Sequence, residues 1–138
     1  FSISSDAFQI AKMMLKQQEP RLLIGNLESV RVVLDVRDIV NAYYLLMLSP
    51  DSNGKVFNVS GNTPRKMQHY TDLLIQISEL KNVEQVRHEP FWRPHDIHYQ
   101  HGNCNDLLSL TGWKPEIDIH TTMTDLLEYW VRKLKHNI

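Results

Sequence analysis

The chain has 138 residues, 42% hydrophobic and 22% charged, which is one domain's worth of polypeptide with enough apolar side chains for a real core. Its 15 basic and 16 acidic residues nearly cancel, so there is no electrostatic reason to expect a nucleic-acid partner, although one small anion needs only a local cluster. A single cysteine, Cys104, leaves no internal disulfide, and no apolar run approaches the ~20 residues of a membrane helix; a cytoplasmic setting with no membrane partner is the economical reading.

The start, Phe1-Ser2-Ile3, has no initiator methionine and runs at once into helix-like sequence, as a stretch from inside a longer protein would. From the potential cap Ser4-Ser5-Asp6, the residues Ala7, Ile10, Ala11 and Met14 recur at helical spacing until Gln17 to Pro20 ends the run. Arg21 to Ile24 reads as a short strand closed by the turn Gly25-Asn26, and residues 27–34 as a loop. Asp35 is placed to cap a second helix in which Val36, Ile39, Val40, Tyr43 and Met47 mark one face. A polar loop, Ser49 to Gly54, precedes Lys55 to Val59, which reads as a strand. Met67, Tyr70, Leu73, Leu74, Ile77 and Leu80 predict a third helix, and Glu84 to His88 a further strand. Pro90 to His101, with two prolines and three histidines, fits neither periodicity and reads as an extended surface loop of the kind that holds ligands. A short helix near Asp106 to Leu110 should end at Gly112, and Thr121 or Thr122 should cap a last helix whose Met123, Leu126, Leu127, Trp130 and Leu134 face a core. Trp113 is expected to anchor these last two helices. Helices alternating with short strands, without repeat or linker, indicate the α/β class.

These segments, in this order, resemble the extended short-chain dehydrogenase/reductases that handle GDP-sugars. The resemblance is carried by Phe1-x-x-Ser4-Ser5 with Gln9-Ile10-Ala11, Gly25-Asn26-Leu27-Glu28 with Arg31, and Asp35-Val36-Arg37-Asp38-Ile39-Val40-x-Ala42-Tyr43. It continues through Phe57-Asn58-Val59-Ser60-Gly61, Arg93-Pro94-x-Asp96, Gly102-Asn103, Thr111-Gly112-Trp113-x-Pro115-Glu116-Ile117 and Asp125-Leu126-Leu127-Glu128-Tyr129-Trp130. GDP-4-keto-6-deoxy-mannose reductases fit best, with GDP-mannose 4,6-dehydratases next.

In that family the N-terminal half is a Rossmann unit with a glycine-rich NAD(P) turn, a catalytic Ser or Thr and a Tyr-x-x-x-Lys pair, none of which precedes Phe1. The resemblance therefore implies that residues 1–138 are the C-terminal substrate-binding portion of an NADP-dependent reductase or dehydratase in nucleotide-sugar biosynthesis. It implies no catalytic residue, no metal and no cofactor on this chain alone, with NADP(H) in the full-length parent. The expected partners are a GDP-sugar and the N-terminal Rossmann half, and the surface left bare without that half should favour self-association. An arginine after the Gly-Asn strand and another in the Arg-Pro loop grip the diphosphate or ribose in the family; Arg31 and Arg93 occupy those positions. A guanidinium suits the task because its planar donor fork stays charged at any relevant pH. Asn26, Asp96 and Trp92, the last by stacking on a base, complete the expected substrate-binding set. One departure stands out: relatives usually read Arg-Asp-Phe-Thr where this chain has Arg31-Val32-Val33-Leu34.

Two other patterns are weaker. Tyr129-Trp130-Val131-Arg132-Lys133 has the Tyr-x-x-x-Lys spacing but lies on the structural Tyr-Trp ending, without a cofactor turn, and is read as non-catalytic. His95, His98, His101 and Cys104 are zinc-compatible donors, but Pro94 and Gly102 break any helix and extended spacing would point them apart. The competing class is a non-catalytic binding or interaction module, with a zinc-binding loop a distant third; the sequence upstream of Phe1 discriminates.

Overall fold

A computed structural model of the chain describes residues 3–93 and 95–136. In chain order the elements are α1 (Ile3–Met14), β1 (Arg21–Ile24), β2 (Val30–Arg31), α2 (Val36–Leu48), β3 (Arg65–Lys66), α3 (Met67–Ser78), β4 (Glu84–Arg87), α4 (Asn105–Thr111) and α5 (Ile119–His136). Two very short sheets accompany the helices: β1 pairs with β4 in parallel, and β2 with β3 in antiparallel. This is the α/β arrangement expected, but with helices carrying most of the core.

The first core forms where α1, α3 and α5 turn their apolar stripes toward one another and toward β1. Ala7, Ile10, Ala11 and Met13 of α1, Tyr70 and Leu74 of α3, Met123 and Leu127 of α5, and Leu22 of β1 are buried together. Gln9 closes the open edge of β1: its amide nitrogen donates to the Leu23 carbonyl at 3.0 Å and its oxygen accepts from the Leu23 N–H at 2.9 Å, as a neighbouring strand would. α1 begins at Ile3, earlier than the expected cap. Asp6 therefore falls within the first turn, fully buried; its Oδ2 accepts from Thr71 Oγ1 at 2.7 Å and its Oδ1 has no partner among the described residues. Burial pushes this carboxyl up to about 7.

The second core is smaller, with Ala42, Cys104, Leu107 and Trp113 at its centre and Leu34, Leu45, Leu46, Phe57 and Val59 packed around them. Trp113 joins α2 to α4, not α4 to α5 as expected, because its indole Nε1 donates to the Asp38 carbonyl at 2.9 Å. The Asp38 carboxylate in turn accepts from the Glu116 and Ile117 N–H groups, fixing the loop that leads to α5. Asp35 caps α2 as expected, accepting from Arg37 N at 2.9 Å. The α2 face marked out by apolar spacing looks outward: Val36 is 68% and Met47 74% exposed, with Val40 and Tyr43 between them, while Ala42 takes the buried side. α2 is apolar on both sides, so periodicity finds the helix but not which side Trp113 occupies.

Three further expectations are corrected. Lys55 to Val59 joins no ladder among the described residues, and Val56 is 93% exposed. Within residues 27–34, β2 pairs Val30 with Lys66 and Arg31 with Arg65, a two-residue ladder too short for period-2 patterning to show. The cap of α5 is Asp118, which accepts from both the N–H and the hydroxyl of Thr121, while Thr122 Oγ1 donates to Asp35 Oδ2 at 2.8 Å and ties the start of α5 to the start of α2. α4 does end at Gly112, whose φ of 71° is the left-handed conformation that glycine adopts without strain.

Candidate functional site

The turn after β1, the strand β2 and the loop after β4 meet around a cavity of about 340 Å³. Its lining includes Asn26, Ser29, Arg31, Val32, Arg93 and Asp96, with Met67 and Phe91 as apolar wall. The loop is held against β2 by backbone: the Val30 N–H donates to the His98 carbonyl at 2.8 Å, and Gln100 N–H to the Val30 carbonyl at 3.0 Å. A bridge between Val30 and Tyr99 thus brings residues 65 positions apart in sequence, Arg31 and Asp96, to one place.

Asp96 is the hub of the site. Its Oδ2 accepts from Asn26 Nδ2 at 2.9 Å and from Ser29 Oγ, and its Oδ1 from Arg31 Nη2 at 3.2 Å. Asn26 Nδ2 also bonds Ser29 Oγ, and its carbonyl oxygen accepts from the Glu28 N–H, so the turn side chain is fixed at both ends. The hydrogen bonds from Ser29 and Asn26, with the charges of Arg31 and Arg93, hold the Asp96 carboxyl below its usual range. Ser29 is 2% exposed and was not singled out from sequence; the only local signal is the three-residue spacing from Asn26.

The two arginines differ. Arg31 is half-buried and pinned, with Nη1 on the Val30 carbonyl at 2.7 Å and Nη2 on Asp96 and the Ile97 carbonyl. Part of its charge is balanced by Asp96, and its remaining donors are oriented before any ligand arrives. Arg93 is exposed, makes no hydrogen bond or salt bridge to another described residue, and adds a second positive charge to the same cavity. The pair is suited to an anion with several oxygens: one fork preorganised, one free to close. Trp92 does not line the cavity. Arg87 lies over its ring at 3.7 Å, and its Nε1 is buried with no partner among the described residues.

Val32, Val33 and Leu34 form the partition beside Arg31. Val33 packs on the first core, while Val32 and Leu34 approach Gly61 so closely that a Cβ there would lie 2.9 Å from Leu34 Cδ2 and 3.2 Å from Val32 Cγ1. Beyond the partition is a second cavity of about 260 Å³, where Arg65 and Tyr70 stand; the Tyr70 hydroxyl donates to the Arg31 carbonyl at 3.1 Å and stiffens β2 from behind.

The remaining patterns gather no chemistry. Lys133 Nζ donates to Tyr129 Oη at 3.2 Å on the outward side of α5, and Tyr129 is 46% exposed. Among the described residues no group of three or more His, Cys, Asp or Glu side chains is placed to hold a metal ion; His101 instead meets the Gly61 carbonyl, and Cys104 the Asn62 side chain. No described helix is long and apolar enough to cross a membrane. Nor does any described strand run through a glycine-rich turn into a helix, the geometry that cradles a dinucleotide: β1 leads to β2, and β3 enters α3 without a glycine.

Residues 3–126 match the sequence profile of the family described as GDP-mannose 4,6 dehydratase. The chain is 33% identical over 135 residues to the GDP-6-deoxy-D-mannose reductase of Pseudomonas aeruginosa, a match covering 98% of this chain and 44% of that protein. Among solved structures, RMD from Pseudomonas aeruginosa complexed with NADPH superposes with a TM-score of 0.88 at 32% identity, covering 96% of this chain and 43% of that one. UDP-glucose 4-epimerase from Thermotoga maritima superposes at 0.73 with 23% identity, over 91% of this chain and 38% of that one, a likeness of fold alone. The chain thus spans less than half the length of these proteins, and its fold is that of the C-terminal portion of a Rossmann-type reductase.

Proposed function

Because the chain belongs to the GDP-mannose 4,6-dehydratase family, we propose that it is the sugar-nucleotide-binding portion of an NADP-dependent GDP-6-deoxyhexose reductase or dehydratase. The observation that carries this reading is the shared cavity of Arg31 and Arg93, with Asp96, Asn26 and Ser29 fixing one of the two guanidiniums. Arg31 supplies donors already oriented toward a diphosphate, Arg93 closes on it from the loop, and Asp96 acts as a positioning residue by holding Arg31 in place. Asn26 contributes through the same hub. Trp92 acts by keeping the Arg93 loop in shape through its stack with Arg87, not by stacking on a base.

The redox chemistry belongs to the N-terminal portion that the relatives have in addition, and NADP(H) bound there supplies hydride to or accepts it from a sugar carbon. What these 138 residues contribute is binding energy and orientation. Such a site is one wall of a cleft, so the isolated chain binds GDP-sugars weakly.

The test is a calorimetric or NMR titration of the chain with GDP-mannose and, in parallel, UDP-glucose. The expected result is GDP-mannose binding weaker than about micromolar and weaker still for UDP-glucose. Equal affinity for the two, or no binding of either in the millimolar range, would remove the GDP-sugar assignment. In the absence of the N-terminal portion the outward stripe of α2 should also drive self-association, which sedimentation reads directly; a clean monomer at high concentration contradicts it.

A further inference from the structure

The first turn of α3 holds the segment 27–31 from behind. The Gln68 N–H donates to the Leu27 carbonyl at 3.0 Å, the Met67 N–H to the Ser29 carbonyl at 2.9 Å and the Tyr70 hydroxyl to the Arg31 carbonyl at 3.1 Å. The placement of Ser29 and Arg31, and through them of Asp96, therefore depends on where that turn sits. On its other side the turn is fastened to α1 by the bond from Thr71 Oγ1 to Asp6 Oδ2 at 2.7 Å, and both residues are fully buried. This fastening lies one helical turn from the site on each element. Ile3, three residues before Asp6, and Met67, four before Thr71, both line the cavity that Arg31 and Arg93 share.

A carboxyl is an expensive way to join two buried helices, since an amide or a hydroxyl would make the same bond without a charge to bury. Thr71 has one proton for two acceptors, Asp6 Oδ2 and the Met67 carbonyl at 3.4 Å. A protonated carboxyl can donate from Oδ2 to Thr71 Oγ1 and leave the threonine proton to Met67. An ionised one draws that proton to itself, and its Oδ1 is then a negative oxygen in the core with no partner among the described residues.

We propose that Asp6 is a positioning residue for the site: its uncharged carboxyl, joined to Thr71, keeps the first turn of α3 where that turn holds residues 27–31, and ionisation loosens their grip on an anion. The inference rests on the proposed function, to which it adds a regulation by pH. Burial pushes the Asp6 carboxyl up to about 7, against the opposing pull of Thr71 and of the amino terminus of the chain. Affinity is then highest below that value and falls as pH rises through it. Among the buried side chains of the first core, Tyr70 of α3 is the titratable one; Leu22 of β1, Leu74 of α3, and Met123 and Leu127 of α5 carry no charge.

The test uses GDP-mannose, whose diphosphate is esterified at both ends and keeps its charge through this range. It is titrated by NMR into the chain and into Asp6→Asn at about pH 6 and about pH 8. Asn has the shape of the protonated carboxyl and no charge to gain. If the ionised form binds about tenfold more weakly, the dissociation constant of the unaltered chain should rise about fivefold more between the two pH values than that of Asp6→Asn. His95 and His98, in the Arg93 loop, are common to both chains, so the difference between the two profiles is what counts. In the ligand-free chain the amide shifts of Ser29 and Arg31 should follow the Asp6 carboxyl with one midpoint, a result that decides alone if the variant does not fold. Equal pH dependence in the two chains, or Ser29 and Arg31 amides that do not move with the Asp6 carboxyl, overturns the proposal. The two readings fail separately. GDP-mannose bound without regard to Asp6 keeps the proposed function and sinks the coupling, whereas amides that track Asp6 in a chain that binds no GDP-mannose keep the coupling and sink the proposed function.

Discussion

The two hydrophobic clusters are built from the same kinds of residue and end in different states. In the first, α1, α3 and α5 cover one another's stripes, and even the edge of β1 is closed by the Gln9 side chain. In the second, Trp113 is wrapped by α2 and α4, but among the described residues nothing covers the far side of α2 and no strand pairs with residues 56–59. The lesson is that burial of one face does not complete an element. A helix or strand that is apolar on both sides needs two neighbours, and only one is present here among the described residues.

The sharpest test of that contrast is within the second cluster. Trp113→Ala removes a side chain that is 2% exposed together with its bond to the Asp38 carbonyl, and should cost about 3–5 kcal/mol in urea denaturation. A loss below about 1 kcal/mol would mean that the cluster is not cohesive as described.

In the first cluster the buried carboxyl of Asp6 gives a pH signature. Its folded value of about 7 lies above the unfolded value near 4, so the folded chain holds a proton that the unfolded chain releases. This contribution is fully present below about pH 4 and is lost as pH rises toward and through 7, a decline on the order of 2–4 kcal/mol. Asp6→Asn should flatten the decline in melting temperature between pH 5 and 8; an unchanged slope would place the titration elsewhere.

A smaller effect is expected at the seam between α2 and α5. Asp35 caps α2, pairs with Arg37 and accepts from Thr122, and the bond from Arg37 chiefly holds its carboxyl well below the usual range. Asp35→Ala should cost about 1–2 kcal/mol, the upper range for losing a cap. Smallest of all, Met47→Ala on the bare stripe should change stability by less than about 0.5 kcal/mol, against about 2–5 kcal/mol for Leu74→Ala in the closed cluster. Similar costs at both positions would erase the distinction between the clusters.

Helices were the legible part of this sequence, because apolar spacing of three and four residues is a local signal, and all five were found near their observed positions. β1 was legible too, as a short apolar run before a turn, whereas β4, with Val86 its one apolar residue, carries a much fainter strand signal. β2 and β3 were not, since a two-residue ladder carries no pattern, and residues 55–59 show why strand propensity does not supply a partner. The outward turn of α2 was hidden because Val40 and Ala42 are equally plausible inward residues until Trp113 is placed. At the site, Arg31, Arg93, Asn26 and Asp96 were named through the family motif; the chemistry of a lone arginine would not have picked them out. What the motif could not show is the division of labour: that Asp96 and the buried Ser29 hold Arg31 while Arg93 stays open.

That division is tested by titrating GDP and guanosine into the chain and its Arg93→Ala variant by NMR. The expected result is weak GDP binding with a dissociation constant above about 1 µM, at least tenfold weaker binding of guanosine, and an Arg93→Ala variant whose preference for GDP over guanosine shrinks to the share that Arg31 supplies. Guanosine bound as well as GDP, or an Arg93→Ala chain with undiminished affinity for GDP, would contradict it.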